Sequence, residues 1–122
     1  MCPVNKLGKV DVYIVSHHGL VNSGSPALVR AISPRVAIMD NGTHKGGAAT
    51  TFETIEGSSR LKDLWQVHTA EGSDAKHNVA ESRIANLPGP DAGNYVKLTG
   101  RRDGSFSVTN SRTGETVEYP AN

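Results

Sequence analysis

Cysteine is nearly absent. The chain has one, Cys2, which excludes an internal disulfide and a cysteine-based metal cluster. Large rings are scarce too: Tyr13, Phe52, Trp65, Tyr95, Phe106 and Tyr119 complete the set. Neither sign of charge dominates, with 13 Lys and Arg against 12 Asp and Glu. That balance gives no general attraction to nucleic acid or to an anionic membrane. No aromatic and basic residues interleave as they do on nucleic-acid surfaces. No apolar run is long enough to cross a bilayer. The opening residues Met1-Cys2-Pro3-Val4-Asn5-Lys6 lack the apolar centre of a secretory signal, so a cytoplasmic location is the default expectation. Internal repeats, low-complexity tracts, phosphate-binding fingerprints and a Gly-x-Ser-x-Gly nucleophile turn are also missing.

What is present fits one α/β domain over residues 1–122. The run Val10-Asp11-Val12-Tyr13-Ile14-Val15-Ser16 is short, apolar and β-branched, and reads as a buried strand. Ser25 caps a predicted helix whose first turn takes Pro26, with Leu28, Val29, Ala31 and Ile32 on one face. Ser33-Pro34 ends it. Residues 35–40 read as a second strand, apolar on both faces, as in parallel sheets with both faces covered. Residues 10–40 are therefore expected to form a β-α-β unit.

A glycine-rich loop follows at 41–47, then a predicted helix at 48–56 with Phe52 and Ile55 inward. Residues 61–65 suit a helical turn, and the overlapping 64–69 suit a third strand carrying His68 near its end. Asn78-Val79-Ala80-Glu81 has the spacing of a capping box and predicts a short helix to Leu87. Leu87-Pro88-Gly89-Pro90-Asp91 breaks the chain. Beyond it the apolar period becomes two, Asp103-Gly104 marks a hairpin turn, and an antiparallel meander closes the chain.

Chemistry-bearing residues collect where predicted strands end. His17 and His18, followed by Gly19, leave the first strand; Asp40 and Asn41 leave the second, with His44 in the glycine loop; His68 ends the third. Ligands gather at the carboxyl ends of strands in open α/β sheets. Imidazole titrates near neutrality and is the commonest metal ligand. Such a set could ligate zinc or another divalent ion, or share acid–base work. Each residue also has a plain role as a turn former or solvated side chain. His77, between Lys76 and Asn78, is expected to be solvated or beside a cap.

The run Val12-Tyr13-Ile14-Val15-Ser16-His17-His18-Gly19 resembles a metal-ligand motif of metallo-β-lactamase-fold hydrolases, in the His-His-Gly branch that includes DNA-uptake protein domains. Ser25-Pro26-Ala27-Leu28 and Ser33-Pro34-Arg35-Val36-Ala37-Ile38 fit the same branch. The close match covers residues 11–42. Leu20 stands where the branch has serine, and no His-x-His-x-Asp-His occurs anywhere. The resemblance thus implies the C-terminal half of an αββα sandwich, with a mixed sheet, whose other half supplies most metal ligands. It implies His18 as a metal ligand, with His17 as the alternative or as a neighbouring contact. It implies a substrate cleft near Asp40, Asn41, His44 and His68, and zinc-dependent hydrolysis in the complete fold. On this reading the chain alone holds no ion tightly and is inactive. A missing N-terminal half, or a second copy in a homodimer, would cover the apolar sheet face, unless the meander folds back over it. The competing reading is a non-catalytic α/β module for protein interaction or self-association. A third is a small independent enzyme with His17, His18, His44 and His68 around its own metal.

Overall fold

The computed structural model describes residues 4–73 and 77–122. Cys2 and part of the loop expected at 71–77 lie outside them. The strands divide into two sheets. Strands β1 (Val12–Ile14), β2 (Val36–Met39), β3 (Asp63–His68) and β4 (Ile84–Asn86) form a parallel sheet in that order. Strands β5 (Val96–Gly100), β6 (Phe106–Asn110) and β7 (Thr116–Tyr119) form an antiparallel meander. Helix α1 (Pro26–Ile32) joins β1 to β2, and helix α2 (Ala49–Glu56) joins β2 to β3.

The β-α-β unit forms as its signals predict. Ser25 Oγ accepts the Leu28 N–H at 3.3 Å and Pro26 opens α1. Ser33 ends it in a left-handed conformation, φ 39°, donating its N–H to Val29. The helices lie on one face of the parallel sheet, where Phe52 and Ile55 of α2 pack with Val15, Ala37, Met39 and Leu64. The meander covers the other face. Phe106, Val108 and Tyr119 pack there on Val36, Ile38 and Trp65. The chain therefore supplies a cover for both faces of β2, all four of whose residues are buried.

Three expectations are corrected. The first strand is not buried but an edge, with Ile14 52% exposed, because it ends the sheet order and has a neighbouring strand, β2, on one side only. Leu61 to Trp65 makes no helical turn: β3 starts at Asp63, where Trp65 fills the space between the sheets. The helix expected up to Leu87 is replaced by a single 3-10 turn at Glu81–Arg83 and by strand β4. Asn78 does not cap a helix. Its carbonyl oxygen accepts from Gln66 Nε2 at 2.9 Å and the Ala70 N–H at 2.8 Å. Ile84, Ala85 and Asn86 are buried beside β3, and burial outweighs the weak local helix signal.

Polar side chains fasten the meander to the parallel sheet. The Trp65 indole N–H donates to the Tyr119 hydroxyl at 3.2 Å, and that hydroxyl donates to Asp63 Oδ2 at 2.5 Å. Arg83 lies over the Trp65 ring at 4.5 Å and pairs with Asp63 and Glu115. Buried Arg35 donates to the Pro120 carbonyl at 2.8 Å and pairs with Asp11. Buried Asn110 donates to the carbonyls of Ser82 and Ile84.

Burial, aided by the bond to Asp63, holds the Tyr119 phenol well above its ordinary ionisation range. Its folded value exceeds the unfolded one, so this contribution to stability is complete below the unfolded pKa, about 10. It is lost as pH rises through the folded value. In an alkaline absorbance titration, one phenol should ionise late, as the fold is lost, and Tyr119→Phe should remove that late step. A late step that survives the substitution would refute the assignment.

Candidate functional site

The residues between Ser16 and Gly19 form a tight turn in which two side-chain-bearing residues are left-handed. His17 has φ 51° and ψ 40°; His18 has φ 57° and ψ 16°. For an L residue this conformation costs about 1–2 kcal/mol each, so surrounding contacts must hold it. They come from the glycine loop of β2. The Gly47 N–H donates to the His18 carbonyl at 3.0 Å and the Ala48 N–H to the Gly19 carbonyl at 2.9 Å. Gly46 lies directly against His18: a Cβ on Gly46 would stand 1.8 Å from the His18 carbonyl oxygen. Below the turn, buried Val15 anchors it in the core.

The strained turn aims the two imidazoles differently. The His17 side chain is exposed, its ring 6.4 Å from that of His18. His18 is 38% exposed, and its Nδ1 lies 2.9 Å from the Asp40 carbonyl and 3.3 Å from Asp40 Oδ2. A carbonyl only accepts, so Nδ1 carries the proton and the neutral ring keeps its lone pair on Nε2. This is the orientation of metal-ligating histidines, whose other nitrogen donates to a carbonyl or carboxylate.

His68, at the end of β3, is held the same way by the next residue. Its Nδ1–H donates to the Asn41 carbonyl at 2.9 Å. Asn41 is buried and donates its side-chain amide to the His68 carbonyl at 2.8 Å, locking the ends of β2 and β3 together. Consecutive carbonyls, Asp40 and Asn41, thus orient imidazoles from the strands on either side. Asn41 is 1% exposed, and its side-chain amide is taken up in this lock.

His44 is not part of this arrangement. It is 79% exposed, with Nδ1 3.5 Å from Glu71 Oε2. His77 is not a solvated residue: it packs near the Phe52 ring and its Nε2 lies 3.0 Å from Glu53 Oε1. Among the described residues, no group of three or more His, Cys, Asp or Glu is placed to hold a metal ion. His17, His18, His44 and His68 do not converge there on one centre.

Two features of the edge are missed by sequence reasoning. Gly46 and Gly47 serve as the seat of the histidine turn, which their spacing does not reveal. Asp91, read only as part of a chain break, stands with Oδ2 3.7 Å from His68 Nε2. No helix among the described residues is long and apolar enough to cross a membrane. Comparison with protein-family models, curated proteins and solved structures returns no match for this chain.

Proposed function

We propose that this chain is the C-terminal portion of a cytoplasmic, metal-dependent hydrolase of the metallo-β-lactamase superfamily. It contributes His18 as one zinc ligand and the edge at Asp40, His44 and His68 to a substrate cleft. The observation that carries this reading is His18 itself. Its turn spends backbone strain, its Nδ1–H is tied to Asp40, and its Nε2 lone pair is left for a metal. The donor set fits a share in a metal centre rather than a whole one, because a catalytic zinc typically takes about three protein ligands. When bound, such an ion supplies a nucleophilic hydroxide for hydrolysis. In this chain Asp40 orients His18, and His17 stands beside it, exposed to what docks.

The isolated chain should hydrolyse phosphodiester and lactam substrates only at background rate, with zinc or manganese added. Turnover that His18→Ala abolishes would overturn the claim that the other ligands come from elsewhere. The reading frame upstream of Met1 provides the direct test: a His-x-His-x-Asp-His encoded there supports the proposal, and a reading frame closed immediately upstream removes it.

The second reading, a non-catalytic module that pairs with a partner or with itself, is favoured by the apolar edge. Ile14 pairs in register with buried Ile38, and Leu98 with buried Val108, so both lie on the inter-sheet side. Yet they are 52% and 41% exposed. The meander already covers Val36 and Ile38, leaving Ile14 and Leu98 for an N-terminal half or a second copy. Light scattering tests the second copy: a homodimer that Ile14→Lys dissociates supports self-association through this edge, and a monomer at micromolar concentration with no apolar-dye binding removes it.

A further inference from the structure

The facing pair His68 and Asp91 is preorganised in a way the reading above does not use. Each side chain has one polar atom tied down and the other left over. His68 Nδ1–H is committed to the Asn41 carbonyl, so in the neutral ring Nε2 holds the lone pair. Asp91 Oδ1 accepts the Gly93 N–H at 2.9 Å, so Oδ2 is the free oxygen. The two leftover atoms face each other at 3.7 Å. That is too long for a hydrogen bond. It is also shorter than the span across a bridging water, about 4.6 Å for two bonds of usual length at a tetrahedral angle. Two ligands on one tetrahedral zinc, with bonds of about 2.0–2.1 Å, stand about 3.4 Å apart. The observed gap lies near that span, and it is also within ion-pair distance for a protonated ring.

The loop that carries Asp91, whose side chain is 68% exposed, is tied down at Asn94. Buried Asn86 donates its amide to the carbonyls of Asn94 and Val67 and accepts the Asn94 N–H at 3.0 Å. The loop is therefore tied over the end of β3 at its far side, by the strand that precedes it. Between loop and strand lies a small cleft lined by His68, Asp91, Thr69, Thr43 and Asn86 among others. The Thr69 hydroxyl is buried, with no hydrogen-bond partner among the described residues.

We propose that His68 and Asp91 form a binding site for a divalent transition-metal ion of the zinc class, with water completing its coordination. Imidazole nitrogen and carboxylate oxygen suit such an ion, and the carbonyl behind His68 fixes the tautomer it needs. Two protein ligands make the site weaker than a structural zinc centre. It uses neither His18 nor Asp40 as a ligand and does not depend on the hydrolase reading.

The test is titration of the full chain with zinc chloride, followed by the imidazole nitrogen resonances of its histidines. His68 Nε2 should shift saturably, and chelator should reverse the shift. Asp91→Asn, at a mostly exposed side chain and with Oδ1 kept for the Gly93 N–H, should weaken binding by about tenfold or more. His68→Gln should do the same, with circular dichroism confirming the fold. His18→Gln should leave the His68 response unchanged. The proposal is overturned by a His68 ring that zinc does not move, by binding that Asp91→Asn leaves intact, or by a response confined to His18. The last result would leave the His18 reading standing while removing this one.

Discussion

Replacing Gly46 by alanine should destabilise the protein by about 3 kcal/mol or more and displace the His18 turn. The new Cβ would meet the His18 carbonyl oxygen at 1.8 Å and its carbon at 2.6 Å. Both are backbone atoms, so no rotamer change relieves the clash. Gly46 also sits at φ +83°, where an L residue is strained by itself. The chain must then break the bond from the Gly47 N–H to His18, or lift the glycine loop from the turn. Either route disturbs the bond from His18 Nδ1–H to Asp40. The expected readouts are a melting temperature lower by roughly 10 °C or more and a changed His18 imidazole resonance. Gly42→Ala is the control. Its added Cβ would make only ordinary contact, 3.7 Å from Lys45 Cβ, and should change stability by less than about 0.5 kcal/mol. Equal melting temperatures for the two variants would refute the close seating of turn on loop.

Trp65→Ala should cost about 3–5 kcal/mol. Trp65 is fully buried between the parallel sheet and the meander, in contact with the cluster that holds Phe106 and Tyr119. Its removal opens a cavity at the junction of the two sheets and takes away the donor to the Tyr119 hydroxyl. The stacked Arg83 guanidinium loses its ring at the same time. Trp65→Phe keeps most of the volume and should cost much less, about 1–2 kcal/mol, chiefly the lost indole bond. Chemical denaturation measures both. A Trp65→Ala loss below about 1 kcal/mol would mean that the meander is not anchored through this side chain.

How much of this was legible depended on the range of the interaction involved. Ser25-Pro26, Ser33-Pro34 and Asp103-Gly104 are local signals, and each marks the boundary or turn found there. Val36 to Met39, apolar on both faces, reads correctly as a covered strand. Ile84 to Asn86 does not read as a strand, because three residues carry too little periodicity. Only pairing with Gln66 and His68 of β3 makes them one. Val12 to Ile14 resembles β2 in composition, but an edge position depends on sheet order, which no local pattern encodes.

The same division holds at the candidate site. His17, His18, Asp40, Asn41 and His68 were placed at strand ends by local pattern, because β-branched runs and glycine loops define where strands stop. The amino-acid sequence by itself determined that these groups share one edge of an α/β sheet followed by a meander. Tertiary structure alone decided which of them work as pairs. Asp40 and Asn41 face opposite neighbours through successive carbonyls, Asp91 reaches His68 from a loop 23 positions later in the chain, and Gly46 forces His18 into its turn. These are contacts between segments far apart in the chain. Their geometry is set by parallel register and close packing, and neither can be read from a residue's neighbours in sequence.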